Sequence, residues 1–490
     1  MSESDVTRAE TGIPGLDEIL HGGLIPRRTY LVWGGPGTGK TTLGVHFLRH
    51  SGDGRATFIT LGETEAQLRD NAERVGLSLD GIDVLDLSPA DADADAGSAE
   101  TYDLLEAWEV EGTSIHDRIV EHAREHAPVR VFIDSLSQLR YLTPDTFQFR
   151  KQVLSLLRQL TAAGATVLLT AEMGAEASDD DLQFLSDGVI RLERVPTGRV
   201  CRVTKMRGSD FQDGGHYYAL GHGGMIIYPR LVPARHGRGY EHESVSSGVA
   251  EIDALTNGGI ERGTITMLTG PSGVGKTSLG AQFIGAAAAR GERSVIYNFD
   301  ESRATFEHRC KRIGLPIARM LDSGQLLFEE IEPLHYNPDQ FAFTVREEVE
   351  RRGVRIVMID SLSGYRQSVR GEDLVERVHA LCRYLVNMGI TVIVVNEVHS
   401  VAGQEFRVTE HGMSYLADTI IMLRYLELDG ELRKCIGMLK KRTGDFEKSL
   451  REFDISADGL RVGEPLRGLR GVLRGVPEEV SSTDARNGKR

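Results

Sequence analysis

The sequence predicts an α/β protein of two tandem P-loop domains, each a mainly parallel, twisted sheet flanked by helices. Three observations predict it. A glycine-rich phosphate loop occurs twice, as Gly34-Gly35-Pro36-Gly37-Thr38-Gly39-Lys40-Thr41 and as Gly270-Pro271-Ser272-Gly273-Val274-Gly275-Lys276-Thr277. Each copy lies between an apolar, strand-length run and a helix-length run. The residues around the first copy recur around the second in the same order, so the repeat spans nearly the whole chain.

In chain order, Thr11 to Ile19 ahead of Gly22-Gly23 reappears as Ser247 to Leu255 ahead of Gly258-Gly259. The runs Thr29 to Trp33 and Thr264 to Thr269 read as buried strands entering the loops, and Thr42 to His50 and Ser278 to Ala289 as helices leaving them. In G-x-x-x-x-G-K-[ST], glycines let successive backbone N–H groups curl round a phosphate at a helix N-terminus. The Lys reaches the β- and γ-phosphates and the Thr hydroxyl takes Mg²⁺. Gly35 to Thr42 (Gly35, Pro36, Gly37, Thr38, Gly39, Lys40, Thr41, Thr42) and Pro271 to Ser278 (Pro271, Ser272, Gly273, Val274, Gly275, Lys276, Thr277, Ser278) are therefore expected to bind ATP.

Downstream, Ala56 to Leu61 and Ser294 to Phe299 read as short buried strands that lead to acids, Glu63 in one half and Asp300-Glu301 in the other. Arg130 to Ser135 and Arg355 to Ser361 are apolar strands ending in Asp-Ser, the Walker B pattern. Asp134 and Asp360, with Thr41 and Thr277, are the expected metal residues. Ala165 to Thr170 and Ile390 to Val395 supply a further strand per half, followed by Asp187 to Ile190 and Asp418 to Ile421. Right-handed crossovers put ligands at the carboxyl ends of such strands, where Glu63, Asp134, Asp300, Glu301 and Asp360 all fall. The divisions are expected at 1–232, a linker 233–246, 247–470 and a polar tail 471–490. Pro89 to Thr101 reads as an acidic solvated insertion, and Val232 to His242 as a solvated linker.

Composition narrows the class. With 490 residues, the chain exceeds one ordinary domain. Fifty-seven Lys and Arg against 72 Asp and Glu give a net charge of −15, so no basic footprint announces nucleic acid. Cys201, Cys310, Cys382 and Cys435 are scattered without C-x-x-C spacing, which argues for reduced thiols and against a zinc module. Residues 1–10 are polar, no window is apolar enough to span a bilayer, and a cytoplasmic protein is expected.

Phosphoryl transfer needs a carboxylate near the attacking oxygen. Glu63, Asp300 and Glu301 are expected to provide it, from a strand read as lying next to the P-loop strand; helix N-capping is the plain alternative. Each half also has a late K-x-R, Lys205-Met206-Arg207 and Lys440-Lys441-Arg442. These either form an exposed basic hairpin or, in a ring, reach a neighbouring subunit's nucleotide.

Taken together, the doubled GIPGLDEIL and GVAEIDALTNGG blocks, the paired P-loops, Asp-Ser-Leu-Ser at both Walker B ends, KMRG and KKRTG, and the LREFDIS ending resemble the KaiC family. These are two-domain circadian-clock ATPases and autokinases of the RecA superfamily. The resemblance covers about residues 10 to 480. It implies tandem RecA-like domains in a two-tier homohexamer, with ATP at subunit interfaces, slow ATPase in the first tier and autophosphorylation in the second. It places the phosphate acceptors at Ser414 and Tyr415, with Thr409 upstream. Ser414 matches; Tyr415 replaces the usual Ser or Thr. The first half carries Gly62-Glu63 where the family has paired acids, and Gln183 at the place of Ser414. The family's extended C-terminal peptide for an activating partner has no match in the tail. Two other readings share the fold. A DNA-dependent recombinase is opposed by the acidic charge and by the lack of a helix-hairpin-helix before the first P-loop; a non-catalytic ATP-gated scaffold is separated by phosphate release.

Two phosphate loops per chain predict two ATP per protomer, with Lys40→Ala and Lys276→Ala each removing one. Equilibrium binding checks this, and a wild-type stoichiometry of one overturns it.

Overall fold

The computed structural model describes residues 7–88, 114–142, 145–172, 180–398, 415–428, 430–472 and 478–479. They form two compact units, Met1–Arg230 and Leu231–Arg490.

In the first unit, β1 (Thr29–Gly34), β2 (Ala56–Thr60), β3 (Asp83–Asp86), β4 (Arg130–Asp134), β5 (Thr166–Glu172), β6 (Gly188–Val195), β7 (Gly198–Met206), β8 (His216–Gly221) and β9 (Gly224–Tyr228) make one sheet. Its order is β3-β2-β4-β5-β1-β6-β7-β8-β9. Pairing is parallel from β3 to β6 and antiparallel from β6 to β9. The central strands are covered on both faces, which is why their sequences are continuous apolar runs instead of alternating ones. Along β4, Val131 and Ile133 enter one core, with Ile59 and Leu157, while Phe132 enters the other, with Phe47 and Phe58.

The second unit repeats this after a small ribbon of β10 (Ser244–Val245) and β11 (Ile260–Glu261). Its sheet consists of β12 (Ile265–Gly270), β13 (Arg293–Asn298), β14 (Leu326–Glu330), β15 (Val354–Asp360), β16 (Thr391–Glu397), β17 (Thr419–Leu428), β18 (Glu431–Lys441), β19 (Arg451–Ser456) and β20 (Gly459–Pro465). The order, β14-β13-β15-β16-β12-β17-β18-β19-β20, matches the first strand for strand. The repeat in sequence is thus a repeat in topology, including a four-strand antiparallel extension that strand counting in the sequence did not resolve.

Two expectations are corrected. The strand that leads to the catalytic acids is not beside the P-loop strand: β1 is flanked by β5 and β6, and β2 lies beyond β4 and β5. The helix after the P-loop crosses β4 and hands the chain to the far side, so sequence neighbours are not sheet neighbours. The segment Val232 to His242 is not simply solvated. Asn387 donates its side-chain amide to the Pro233 carbonyl at 2.9 Å and accepts at its own carbonyl from the Arg238 N–H at 2.9 Å. The His236 ring meets Tyr384 edge-on at 5.1 Å, and Tyr240 covers Gly263 and Gly389. Aromatic rings and backbone donors bind this stretch to the second unit despite its polar composition. The insertion Pro89 to Thr101 lies outside the described residues, as does most of the tail.

The helices that leave the P-loops, Lys40–Arg49 and Lys276–Ala289, start from Gly39 and Gly275, whose φ of 90° and 116° are left-handed. Side chains at those two positions would be strained. Each helix then rests directly on its Walker B strand. A Cβ at Gly44 would come within 2.2 Å of the Phe132 ring, and one at Gly280 within 2.7 Å of the Met358 methyl.

Gly44→Ala is therefore expected to destabilise the first unit by about 1–3 kcal/mol through overpacking. Gly280→Ala should cost the second unit less, because the end of Met358 can turn away while a buried ring cannot. Urea unfolding of both variants checks the ordering; equal costs overturn it.

Candidate nucleotide site in each unit

At the carboxyl end of each sheet, the same three contacts join loop, helix and strand. The Lys40 ammonium donates to the Gly34 and Gly35 carbonyls at 2.9 and 3.0 Å, and Lys276 to those of Gly270 and Pro271 at 2.9 and 2.7 Å. Burial pushes both lysines below their ordinary range, opposed by the carboxylates of Glu172 and Asp134 in one unit and Glu397 and Asp360 in the other. Each ammonium thus sits where an anion would recover the charge stabilisation that burial removed. Thr41 Oγ1 donates to Asp134 Oδ2 at 2.6 Å, and Thr277 Oγ1 to Asp360 Oδ2 at 2.6 Å. Asp360 is pushed up to about 6 by burial, with the Thr277 hydroxyl, Arg309 and Lys276 pulling it back. An all-oxygen pair with a carboxylate short of compensating charge fits a hard divalent cation such as Mg²⁺.

The acids approach from β2 and β13. Thr60 and Asn298 occupy matching positions and fold the following residues back. Glu63 N–H donates to Thr60 Oγ1 at 3.2 Å, and the N–H groups of Asp300 and Glu301 donate to Asn298 Oδ1 at 3.0 and 2.7 Å. The units then differ. Glu63 accepts from Asn71 Nδ2 at 3.2 Å, whereas Glu301 is paired with Arg309 at 2.7 Å, eight residues on in both cases. Burial raises Glu301 above the usual carboxylate range and Arg309 opposes the rise. Asp300 accepts from Ser361 Oγ at 3.0 Å. Its counterpart Gly62 has open space: a Cβ there would meet only Gln138, at 3.6 Å.

The K-x-R residues close the antiparallel side. Lys205 donates to the Gln183 and Ser186 carbonyls at 2.7 and 2.6 Å, and Lys440 to Ala417 at 2.7 Å. Arg207 lies 3.8 Å from Asp187, and Arg442 binds Asp418 at 3.1 Å and the Tyr415 carbonyl at 2.9 Å. The residues between them turn inward. Met206 is buried, and Lys441, with its side chain 2% exposed, donates to the Thr256 carbonyl and sits 3.4 Å from Glu261. Of the K-x-R sets, only Lys205, Arg207, Lys440 and Arg442 present to the same side. Ser414 and Thr409 lie outside the described residues. Tyr415 is exposed, its ring 5.6 Å from that of His379, and it precedes β17 in a turn; Gln183 lies on the short helix Asp180–Leu185.

Sequence reasoning missed several site residues. Glu172 and Glu397 end the strands that flank the P-loop strands, and Thr170 Oγ1 donates to Asp134 Oδ1 at 2.6 Å. The doubled apolar run ending in Glu carried that signal. Asn71 and Arg309 were visible only as the position eight residues after each acid.

Two sheets of one topology, each with a phosphate loop, a hydroxyl-carboxylate pair and an acid at the strand ends, define a tandem RecA-like P-loop ATPase. A family model described as "ATPase: KaiC" matches residues 9–232 and again 245–467, and the chain belongs to the KaiC family of ATP-binding ATPases. It is 28% identical over 500 residues to "Circadian clock oscillator protein KaiC" of Acaryochloris marina, covering 99% of this chain and 94% of that protein. The protein of the same name from Parasynechococcus marenigrum is 28% identical over 505 residues, covering 99% and 96%. Among the described residues, no helix is long and apolar enough to cross a membrane.

Adding a carboxylate to the first unit without its cation should repel the nucleotide. Gly62→Asp is expected to weaken ATP binding there about tenfold, by like-charge repulsion at an effective dielectric near that of a protein surface. Gly62→Asp with Asn71→Arg should restore it. Titration with a fluorescent ATP analogue in a Lys276→Ala background checks this; no recovery in the double variant overturns it.

Proposed function

We propose that this chain forms a two-tier homohexamer that hydrolyses ATP in its first unit and phosphorylates itself in its second, acting as a circadian-clock-like timing or signal-transduction switch. What supports the reading most is the contrast at matched positions. The second unit alone combines a paired acid braced by Arg309 and Asn298 with a hydroxyl residue, Ser414, where the first has Gln183.

In each site, Lys40 or Lys276 neutralises the β- and γ-phosphates, and the loop N–H groups hold them in place. Thr41 with Asp134, and Thr277 with Asp360, would hold Mg²⁺, which when bound offsets the charge on the β- and γ-oxygens. In the first unit Glu63, fixed by Asn71, orients the attacking water. In the second, Glu301 with Asp300 orients the Ser414 hydroxyl of an adjacent subunit and accepts its proton as the Ser414 Oγ–P bond forms and the bond from phosphorus to the ADP oxygen breaks. Lys440 and Arg442 hold the backbone that follows the acceptor, and Arg207 and Arg442 offset charge across the interface. Such sites are completed only between subunits, so ATP binding and ring assembly are coupled.

Incubation with ATP and Mg²⁺ followed by mass spectrometry should find phosphate on Ser414, with Tyr415 and Thr409 as secondary acceptors, and Glu301→Gln should slow its appearance about a hundredfold. Light scattering should show a hexamer with ATP and smaller species without it. Phosphate absent from 409–415 while ADP accumulates leaves a plain ATPase; neither phosphate nor ADP leaves a scaffold.

A further inference from the structure

At the opposite end of the first sheet, away from the phosphate loop, Asp83, His122 and His126 converge. Asp83 opens β3, and the histidines lie one turn apart near the end of the helix Ile115–His126, on one face. Their rings stack with centroids 4.1 Å apart and planes 17° apart. His122 Nε2 lies 2.5 Å from Asp83 Oδ2, and one ligand-capable atom from each of the three side chains lies within 4.8 Å of the other two.

The surroundings are those of a ligand set. His126 Nδ1 is 3.0 Å from the His122 carbonyl, which fixes that nitrogen as the donor and leaves Nε2 with its lone pair outward. Asp83 accepts from Thr57 Oγ1 at 3.1 Å. A second nitrogen bonded to a backbone carbonyl and a hydrogen-bonded carboxylate are the usual outer supports of metal ligands. The side chains of His122 and Asp83 are 17% and 36% exposed, so an ion and its waters have access.

The fold itself does not demand these histidines. The helix Pro338–Arg352 is the counterpart in the second unit, and both helices end in a left-handed cap, at Ala127 and Gly353. Counting back from the caps, His126 corresponds to Arg352 and His122 to Glu348, which pair with each other at 3.2 Å. One unit places an Arg–Glu pair at these two helix positions; the other places two imidazoles there, beside the Asp83 carboxylate.

We propose that Asp83, His122 and His126 bind a divalent transition metal of the zinc class. Two imidazole nitrogens and a carboxylate oxygen suit Zn²⁺ or Co²⁺, with water in the remaining position, and disfavour Mg²⁺. The ion takes the place of the hydrogen bond between His122 Nε2 and Asp83, and the imidazole proton moves to Nδ1, so His122 binds as a neutral ligand. It ties β3 to the helix Ile115–His126, outside the ATP sites.

The test uses the full chain with saturating Mg²⁺ and ATP, so that the phosphate-loop sites are filled. Co²⁺ titration should give the intense visible absorption of a four-coordinate site, saturating at one per chain and abolished by Zn²⁺, and Zn²⁺ should raise the first-unit unfolding temperature. The double variant His122→Gln with His126→Arg removes both imidazoles, keeps a side-chain donor for Asp83 and sets one cation beside its carboxylate. It should remain folded by circular dichroism and lose Co²⁺ affinity at least about tenfold, as should Asp83→Asn. No saturable Co²⁺ spectrum, or the same affinity in the folded double variant, overturns the proposal and leaves an ordinary His122–Asp83 hydrogen bond.

Discussion

The hydrogen bond from the last residue of each phosphate loop to the Asp that ends the Walker B strand is the constraint from which the rest of each site follows. At 2.6 Å in both units, it fixes the start of the helix against the end of β4 or β15. It can form only because Gly44 and Gly280 let the helix descend onto Phe132 and Met358 with no side chain between. With the helix there, the lysine one residue before the Thr must turn back over the loop, where buried carbonyls hold it. Two short contacts thereby set the positions of the lysine, the threonine and the Walker B carboxylate that a bound phosphate and its cation would meet.

Given that shared frame, the two units reach a similar charge balance by different means. The first offers Glu63, held by a neutral amide. The second offers Asp300 and Glu301, offset by the guanidinium of Arg309. With Arg309 counted, the two sets of acids therefore carry the same formal charge of −1, but only the second is braced by a guanidinium. A single carboxylate suffices to align a small, mobile water. In the proposed phosphoryl transfer, a side-chain hydroxyl from another subunit would arrive with less freedom than a water, and a braced pair of acids would be the better receiver for it.

Much of this was legible in the sequence, and the limits have physical causes. The phosphate loops, Walker B aspartates and strand-end acids were readable because each needs a fixed residue type at a fixed spacing. Which strands lie side by side was not: β2 follows β1 in sequence yet sits beyond β4 and β5, since the crossover helix decides where the chain re-enters the sheet. Glu172 and Glu397 were missed for the same reason, as their role comes from strand adjacency. Val232 to His242 looked solvated because composition records polarity and not the partners, here Asn387 and Tyr384, that absorb it. The Asp83, His122 and His126 set joins a strand to a helix 39 residues on and has no local signature apart from the His-x-x-x-His spacing.

The K-x-R residues show how side-chain burial divides labour that the motif leaves ambiguous. Lys205 donates to the Gln183 and Ser186 carbonyls and Lys440 to that of Ala417, and burial lowers both, so moving either lysine leaves half-buried backbone acceptors without it. Arg207 and Arg442 are 56% and 51% exposed, and their ion pairs with Asp187 and Asp418 are of the surface kind, about 0–1 kcal/mol each. In the proposed ring, giving up such a pair costs little against a doubly charged phosphate, and a planar guanidinium suits that geometry. The lysines then act as fixed braces for the segments before β6 and β17, and the arginines as the groups that cross. In the second unit one side chain links both roles. Arg442 also holds the Tyr415 carbonyl, so moving it toward a neighbour's nucleotide would loosen the backbone beside the acceptor, coupling nucleotide state to the freedom of that segment.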